Sequence, residues 1–236
     1  MKLKKIVSLA AAALMAVSML TACGEGNSNS TVTPPVEDNT PATGYSSQLG
    51  EELVDKNTNT RKLAMSDSTA LNSALQSALK YAADRDIAWR YDANLNATVS
   101  FVTPVATTTN ATRLVADRLV DIVGGETTDT ATSAATIEQL NPNNNIADAE
   151  EDMSVALLYV VDGGVSIDAA IERIAEDIND DVAAMVNTYN MSGTSGETHE
   201  VSYKYTGSVS ADTITVDADH GKSMTFIAVQ INRTVV

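Results

Sequence analysis

The sequence predicts an α+β fold in which helices pack on one face of a largely antiparallel sheet. Three observations lead to this prediction. Apolar residues recur at three- to four-residue spacing in three stretches, as on the buried face of a helix. Runs rich in Val, Ile and Thr, bounded by turn residues, lie between these stretches. Three more such runs follow one another at the C-terminus with only turns between them, which predicts a three-stranded meander.

The first predicted helix runs from about Ser68 to Ala83. Its apolar stripe consists of leucines at i+4 spacing, and the segment 66–68 supplies an N-cap residue. The stretch before it, Tyr45 to Met65, is ambiguous, because its leucines fit either a strand or a frayed helix. Two strands are predicted after the helix, at about Ile87–Tyr91 and Leu95–Val102.

A second helix is predicted from Asn110, its N-cap, to Val123. Its predicted buried face consists of Leu114, Val115, Leu119 and Ile122. The Thr- and Asn-rich segment from about 126 to 152 predicts a long loop, in which only Ser133–Leu140 suggests a short helix. Met153 to Val161 is the most apolar run after the N-terminal one, and predicts a central strand. A buried helix stays the alternative there, because periodicity does not separate the two.

The third predicted helix begins after Ser166 and runs from Ile167 to about Tyr189, with apolar residues every three to four positions throughout. Three strands then form the meander, at about Val201–Tyr205, Thr213–Val216 and Met224–Ile231. The last two strands are joined by a predicted hairpin turn at residues 217–221.

The N-terminus has the anatomy of a secretory signal. Three lysines precede an uncharged apolar run, Ile6 to Leu20, and a small residue, Ala22, stands before Cys23. The tetrapeptide Leu20-Thr21-Ala22-Cys23 resembles the lipobox of bacterial lipoproteins, and Cys23 is the only cysteine in the chain. The resemblance covers residues 1–23 and implies cleavage before Cys23, lipid modification of its thiol, and anchoring at the extracytoplasmic face of the cell membrane.

The predicted domain organisation follows from this anchor. Residues 1–22 are the signal peptide, and residues 23–48 are the lipidated cysteine and a flexible tether. The clearest tether composition, rich in Gly, Asn, Ser, Thr and Pro, runs from Gly24 to about Gly44. Residues 49–236 form a single α+β domain.

The chain is strongly acidic, with a formal net charge of −16. Loss of the three signal-peptide lysines would bring the mature chain to −19. This charge argues against nucleic-acid binding, which needs a basic surface, and against lying flat on an anionic leaflet.

One pattern suggests acyl-transfer chemistry. Ser77-Ala78-Leu79-Lys80 matches S-x-x-K and resembles the first motif of penicillin-binding proteins and serine β-lactamases. The other two motifs of those enzymes are missing, so we interpret Lys80 as a residue of the exposed helix face and Ser77 and Lys80 as weak nucleophile candidates. The histidines, His199 and His220, have no recognisable catalytic signature around them.

Metal sites have little support in the sequence. Zinc is not expected without clustered Cys or His. Asp217 and Asp219 offer oxygens at alternate positions, as calcium loops do, but the spacing to Gly221 and the missing Glu depart from an EF-hand. The acidic runs 150–152 and 180–181 are expected to be solvated. We predict no cofactor, with calcium as the alternative.

These observations predict a membrane-anchored lipoprotein whose domain is a non-catalytic binding or interaction module for an envelope protein or cell-wall partner. The alternative is a cell-wall or extracellular hydrolase that uses Ser77 with Lys80, or a histidine. A small-ligand receptor working with a transporter ranks third, because such receptors usually have two lobes and longer chains.

Overall fold

The computed structural model describes residues 44–56, 63–85, 87, 89, 99–104, 108–124, 136–192, 197–217 and 221–236. All of them lie within one compact unit, Asn39–Val236. The helices in this part of the chain are α1 (Tyr45–Lys56), α2 (Thr69–Ala83), α3 (Ala111–Gly124) and α4 (Ile167–Ala184). The strands are β1 (Leu63–Met65), β2 (Ser100–Phe101), β3 (Met153–Asp162), β4 (Thr188–Ser192), β5 (Thr198–Asp217) and β6 (Lys222–Val235). The α+β prediction is confirmed.

The two helix starts with the clearest cap residues lie where the sequence predicts them. The Ser68 hydroxyl accepts a hydrogen bond from the Leu71 amide at 3.1 Å at the start of α2. Asn110 Oδ1 accepts one from the Thr112 amide at 3.0 Å at the start of α3. These side chains satisfy amide groups that have no partner within their helices.

The ambiguous stretch before α2 forms both a helix and a strand. Because α1 begins at Tyr45, residues 45–48 belong to the domain, and the tether boundary at residue 48 is too late. Ser46 in α1 is fully buried, and its hydroxyl accepts a hydrogen bond from the Val209 amide at 2.9 Å. The first turn of α1 is therefore fastened to the sheet.

The strands form one sheet in the order β1-β5-β6-β3-β2, and β4 pairs with the N-terminal part of β5. Every pairing is antiparallel except that of β1 with β5. β3 lies between β6 and β2, which confirms the central strand over Met153–Val161 and removes the buried-helix alternative. The C-terminal meander consists of β4, β5 and β6.

The helices divide between both faces of the sheet, so the prediction of a single covered face is wrong. Alternate residues of β3 point to opposite faces, and both sets are buried. Val155, Leu157 and Tyr159 pack in the cluster that contains α1 and α4. Ala156, Leu158 and Val160 pack in the cluster that contains α2 and α3. A continuous apolar run in a strand indicates burial on both faces, and this signal was present in the sequence.

Three other predicted features are wrong: two concern the bounds of strands and helices, and one concerns a buried helix face. The strands predicted at Val201–Tyr205 and Thr213–Val216 are parts of one continuous strand, β5. α4 ends at Ala184, and Tyr189, the predicted helix end, lies in β4 opposite Val201. Ile122 of α3 is 38% exposed and does not belong to the buried face.

Part of the remaining predictions lies outside the described residues. Of the two strands predicted over 87–102, the structure describes Ser100–Phe101 as β2 and leaves most other positions undescribed. Of the predicted loop, residues 136–152 are described and contain two short 3-10 helices, Ile137–Leu140 and Ile146–Asp148. Ile137 and Leu140 are buried, so this segment forms part of the core.

Candidate functional site

The predicted Ser77–Lys80 pair lies on the exposed face of α2. Lys80 Nζ is 2.6 Å from Asp84 Oδ2, one turn further along the helix, and both side chains are more than 60% exposed. Ser77 is also exposed. The ammonium group of Lys80 therefore contacts the solvent-exposed carboxylate of Asp84 rather than the Ser77 hydroxyl.

His199 lies at the start of β5, with Nε2 at 2.7 Å from Glu150 Oε1. Both side chains are more than half exposed, so this is a surface contact between β5 and the segment before β3. His220 lies outside the described residues, as do Cys23 and Asp219.

The described residues contain no group of three or more His, Cys, Asp or Glu side chains that could hold a metal ion. Asp217 ends β5, and the structure describes its backbone only. In the acidic run 150–152, Asp152 Oδ1 accepts a hydrogen bond from the Val235 amide at 2.8 Å, which fastens this run to the end of β6.

One candidate site in the described part of the chain is a cavity of about 120 Å³ between α4, β3, β2 and the first 3-10 helix. We call it the Tyr159 cavity. It is lined by Phe101, Thr136, Ile137, Leu157, Tyr159, Asp177, Ile178 and Asp181. Its walls are mainly aliphatic and aromatic, with two carboxyl groups that converge from one helix, which is the composition typical of small-molecule sites.

Two rings form one wall of the Tyr159 cavity. Phe101 and Tyr159 meet edge to face, with centroids 5.6 Å apart and planes at 63°. Tyr159 is almost fully buried, whereas Phe101 is 40% exposed, so the Phe101 ring lies at the mouth. The exposed part of the Phe101 ring is therefore apolar surface beside the cavity.

The two carboxyl groups, of Asp177 and Asp181, lie one turn apart on α4 and therefore on the same face. The Tyr159 hydroxyl donates a hydrogen bond to Asp177 Oδ2 at 2.7 Å, which orients that carboxylate. Burial, together with this hydrogen bond, raises the pKa of the Tyr159 hydroxyl. The tyrosine therefore remains a hydrogen-bond donor at physiological pH.

Asp181 is half-buried, so the prediction that the run 180–181 is fully solvated is wrong at this position. Burial raises the pKa of the Asp181 carboxyl above its usual 3.8, and the nearby carboxylates of Glu138, Asp177 and Asp180 raise it further. Asp180, its neighbour, points to solvent. The difference arises because only Asp181 continues the i+4 row from Asp177 into the cavity.

A buried arginine positions the segment that closes this cavity. Arg233 on β6 is 0% exposed and donates hydrogen bonds to the backbone carbonyl oxygens of Leu140 at 2.9 Å, Glu151 at 3.0 Å and Asp148. Its guanidinium also lies 5.0 Å from the ring centre of Tyr203. The charge is thus compensated by carbonyl dipoles, and the 3-10 helix that carries Ile137 is held against the sheet.

Arg233 lies two residues beyond Ile231, the predicted end of the last strand, and is not among the predicted site residues. One signal was available. Alternate residues of β6 point to the face of the sheet covered by α1 and α4; these are Ile227, Val229 and Ile231. Arg233 occupies the next position on that face. A charged residue in such a series indicates a buried polar contact.

A second depression, between α1 and β1, has a volume of about 490 Å³ and is widely open. It is lined by Ser47, Gly50, Glu51, Val54, Leu63 and Met65. With a single carboxylate at its rim and no converging polar groups among these residues, it is a weaker candidate than the Tyr159 cavity.

Comparison of the chain with protein-family models, with curated proteins and with solved structures gives no match.

Proposed function

We propose that this chain is a lipid-anchored extracytoplasmic protein of the bacterial cell envelope, and that its α+β domain is a non-catalytic binding module. The lipid anchor is proposed from the tetrapeptide Leu20–Cys23, which contains the chain's single cysteine. This tetrapeptide lies at the end of an N-terminal segment in which lysines precede an apolar run. Two or three acyl chains on Cys23 would hold the protein firmly at the bilayer, at about 0.8 kcal/mol per buried methylene.

The position of α1 supports a display role for the domain. With Cys23 as the anchor and Tyr45 as the first helical residue, residues 24–44 separate the lipid from the domain. A flexible chain of this length and composition has an end-to-end distance of about 25 Å. The negative net charge of the protein favours separation from an anionic leaflet. Within the described residues, no helix is long and apolar enough to cross a membrane.

The binding role is supported by the Tyr159 cavity, which combines apolar walls with the carboxyl group of Asp177, oriented by the Tyr159 hydroxyl, and that of Asp181. Two of the residues that would support the hydrolase alternative lie in the described part of the chain with carboxylate partners on the surface: Lys80 contacts Asp84, and His199 contacts Glu150. A binding module therefore accounts for more of the observed side-chain geometry than a hydrolase does.

The anchor is tested by partition between detergent and water after expression in a bacterial host. The wild-type protein is expected in the detergent phase, with acyl groups on its N-terminal cysteine by mass spectrometry. Cys23→Ala is expected in the aqueous phase, because no acceptor thiol remains. A matched control is Ser28→Ala, five residues downstream in the predicted tether, which should stay with the detergent. A Cys23→Ala protein that remains membrane-bound would overturn the assignment.

A further inference from the structure

We propose that the Tyr159 cavity binds a primary alkylammonium ion, with the ammonium group between Asp177 and Asp181 and the alkyl chain against Phe101 and Tyr159. This inference rests on the proposed function of the domain as a binding module, and it names the ligand class.

The volume of the cavity fits a short amine. A 150 Å³ apolar cavity accommodates benzene, so about 120 Å³ has room for about five non-hydrogen atoms. A four-carbon chain with its nitrogen has this size. The aliphatic side chains of Ile137, Leu157 and Ile178 line the cavity and would contact the methylene groups.

Within the described residues, the carboxyl groups at the cavity have no cationic partner. Asp177 and Asp181 face it, and Glu138 lies close enough to raise the pKa of Asp181. The ion pair described on this helix joins Arg173 to Glu176 at 3.0 Å on its exposed side. Within the described residues, no Lys or Arg forms an ion pair with the cavity carboxylates. A bound ammonium ion would reduce the repulsion among them.

The rings favour an organic cation over a metal ion. A cation within about 6 Å of a ring centre is attracted to the aromatic face, and the exposed Phe101 ring lies at the mouth. Calcium needs six to eight oxygen ligands, and no group of three acidic or histidine side chains suited to a metal occurs in the described part of the chain. A primary ammonium is favoured over a quaternary one, because its N–H groups can donate to the carboxylates.

The test is calorimetric titration of the full-length mature protein, in neutral detergent at pH 7, with n-butylammonium chloride. Sodium chloride at equal ionic strength and n-butanol, which has the same size and no charge, are the reference ligands. We expect saturable binding of n-butylammonium, and at least tenfold weaker binding of both references. The second ligand is a lysine whose backbone amine and carboxyl groups are blocked. Binding of this lysine would indicate that the cavity accepts a lysine side chain of a partner protein. Binding of n-butylammonium alone would indicate a free amine.

The variants that test the site are Asp177→Asn and Asp181→Asn, and each should weaken n-butylammonium binding at least tenfold. Asp180→Asn changes the net charge equally at a position that does not line the cavity, and should leave binding within twofold. Melting temperatures show whether each variant is folded. The proposal would be overturned if n-butanol bound as tightly as n-butylammonium. It would also be overturned if Asp180→Asn weakened n-butylammonium binding as much as Asp177→Asn or Asp181→Asn does. Neither result affects the partition of Cys23→Ala, so failure of the ligand class is distinguishable from failure of the anchor.

Discussion

The guanidinium of Arg233 donates a hydrogen bond to the backbone carbonyl oxygen of Leu140 at 2.9 Å, across 93 positions of the chain. This contact joins the last strand to the segment that closes the Tyr159 cavity. Because Arg233 is fully buried and its other hydrogen bonds also go to backbone carbonyls, the arrangement depends on the backbone path of residues 140–151.

Arg233→Met should destabilise the fold by about 2–4 kcal/mol, because it removes the donors of three backbone carbonyl groups, of which that of Leu140 is buried, while filling a similar volume. Chemical denaturation measures the free energy of unfolding. Hydrogen exchange should show the loss of protection concentrated in residues 137–151. Arg173→Met is the control, because Arg173 makes an exposed ion pair that contributes at most about 1 kcal/mol. Equal effects of the two variants would contradict the role of Arg233.

The packing of α4 is tested by a pair of adjacent substitutions. Ile174 is 1% exposed and packs in the core between α4 and the sheet. Ile174→Asp places an unpaired charge there and should destabilise the protein by several kcal/mol, enough to prevent folding. Arg173→Asp, on the exposed side, should change stability by roughly 1 kcal/mol or less. Thermal unfolding followed by circular dichroism compares them, and similar melting temperatures would mean that the buried face is misassigned.

Because Asp181 is partly buried, we expect Asp181→Asn to raise the stability of the folded state by an amount that depends on pH. Because the folded-state pKa of Asp181 lies above 3.8, its ionisation disfavours the folded state, and stability is lost as the pH rises through the raised pKa. Asp181→Asn should therefore melt at a higher temperature than the wild type at pH 7. The difference should shrink as the pH falls towards the unfolded-state pKa and disappear below about pH 3, where the aspartate is protonated in both states.

The carboxyl groups of Glu138, Asp177 and Asp180 lie near Asp181, so the comparison uses variants at each pH rather than one melting curve. Asp180→Asn is the control with the same change of charge, and its melting temperature should rise by less. A lower melting temperature for Asp181→Asn than for the wild type at pH 7 would contradict the burial argument.

The purified protein should not hydrolyse peptide, ester, β-lactam or peptidoglycan substrates. The reason is geometric: Lys80 contacts Asp84, and His199 contacts Glu150 on the surface. Product formation is followed chromatographically with long incubation at pH 7. Turnover that disappears in Ser77→Ala or His220→Ala would favour the hydrolase alternative over the binding module.

Local signals predicted the elements whose determinants lie within a few residues. Ser68 and Asn110 mark the starts of α2 and α3, because a side-chain oxygen at an N-cap accepts from an amide two or three residues later. The apolar row of α4 fits its helical period as far as Val182. Beyond that point, Met185 and Tyr189 continue the spacing of three to four, but pairing with β5 places Tyr189 in a strand.

The continuity of β5 was not predictable from its own residues. Gly207, Ser208 and Ser210 interrupt the β-branched pattern and are typical of a turn. In the structure, small residues occur here because other elements approach closely: a Cβ on Gly207 would lie 2.4 Å from the Met65 sulfur. Ser210 donates a hydrogen bond to Asn72 of α2 at 2.9 Å.

The sequence by itself determined the α+β class and the capped starts of α2 and α3, because periodicity and capping act over a few residues. Its N-terminal pattern also leads to the proposed lipid anchor. The tertiary structure decided that residues 153–161 form a strand rather than a buried helix, which helices cover each face of the sheet, and that Asp177, Asp181 and Tyr159 share a cavity. It also decided the hydrogen-bond partners of the buried Arg233. These relationships join residues far apart in the chain, and a local apolar run or alternation indicates burial without identifying the partner.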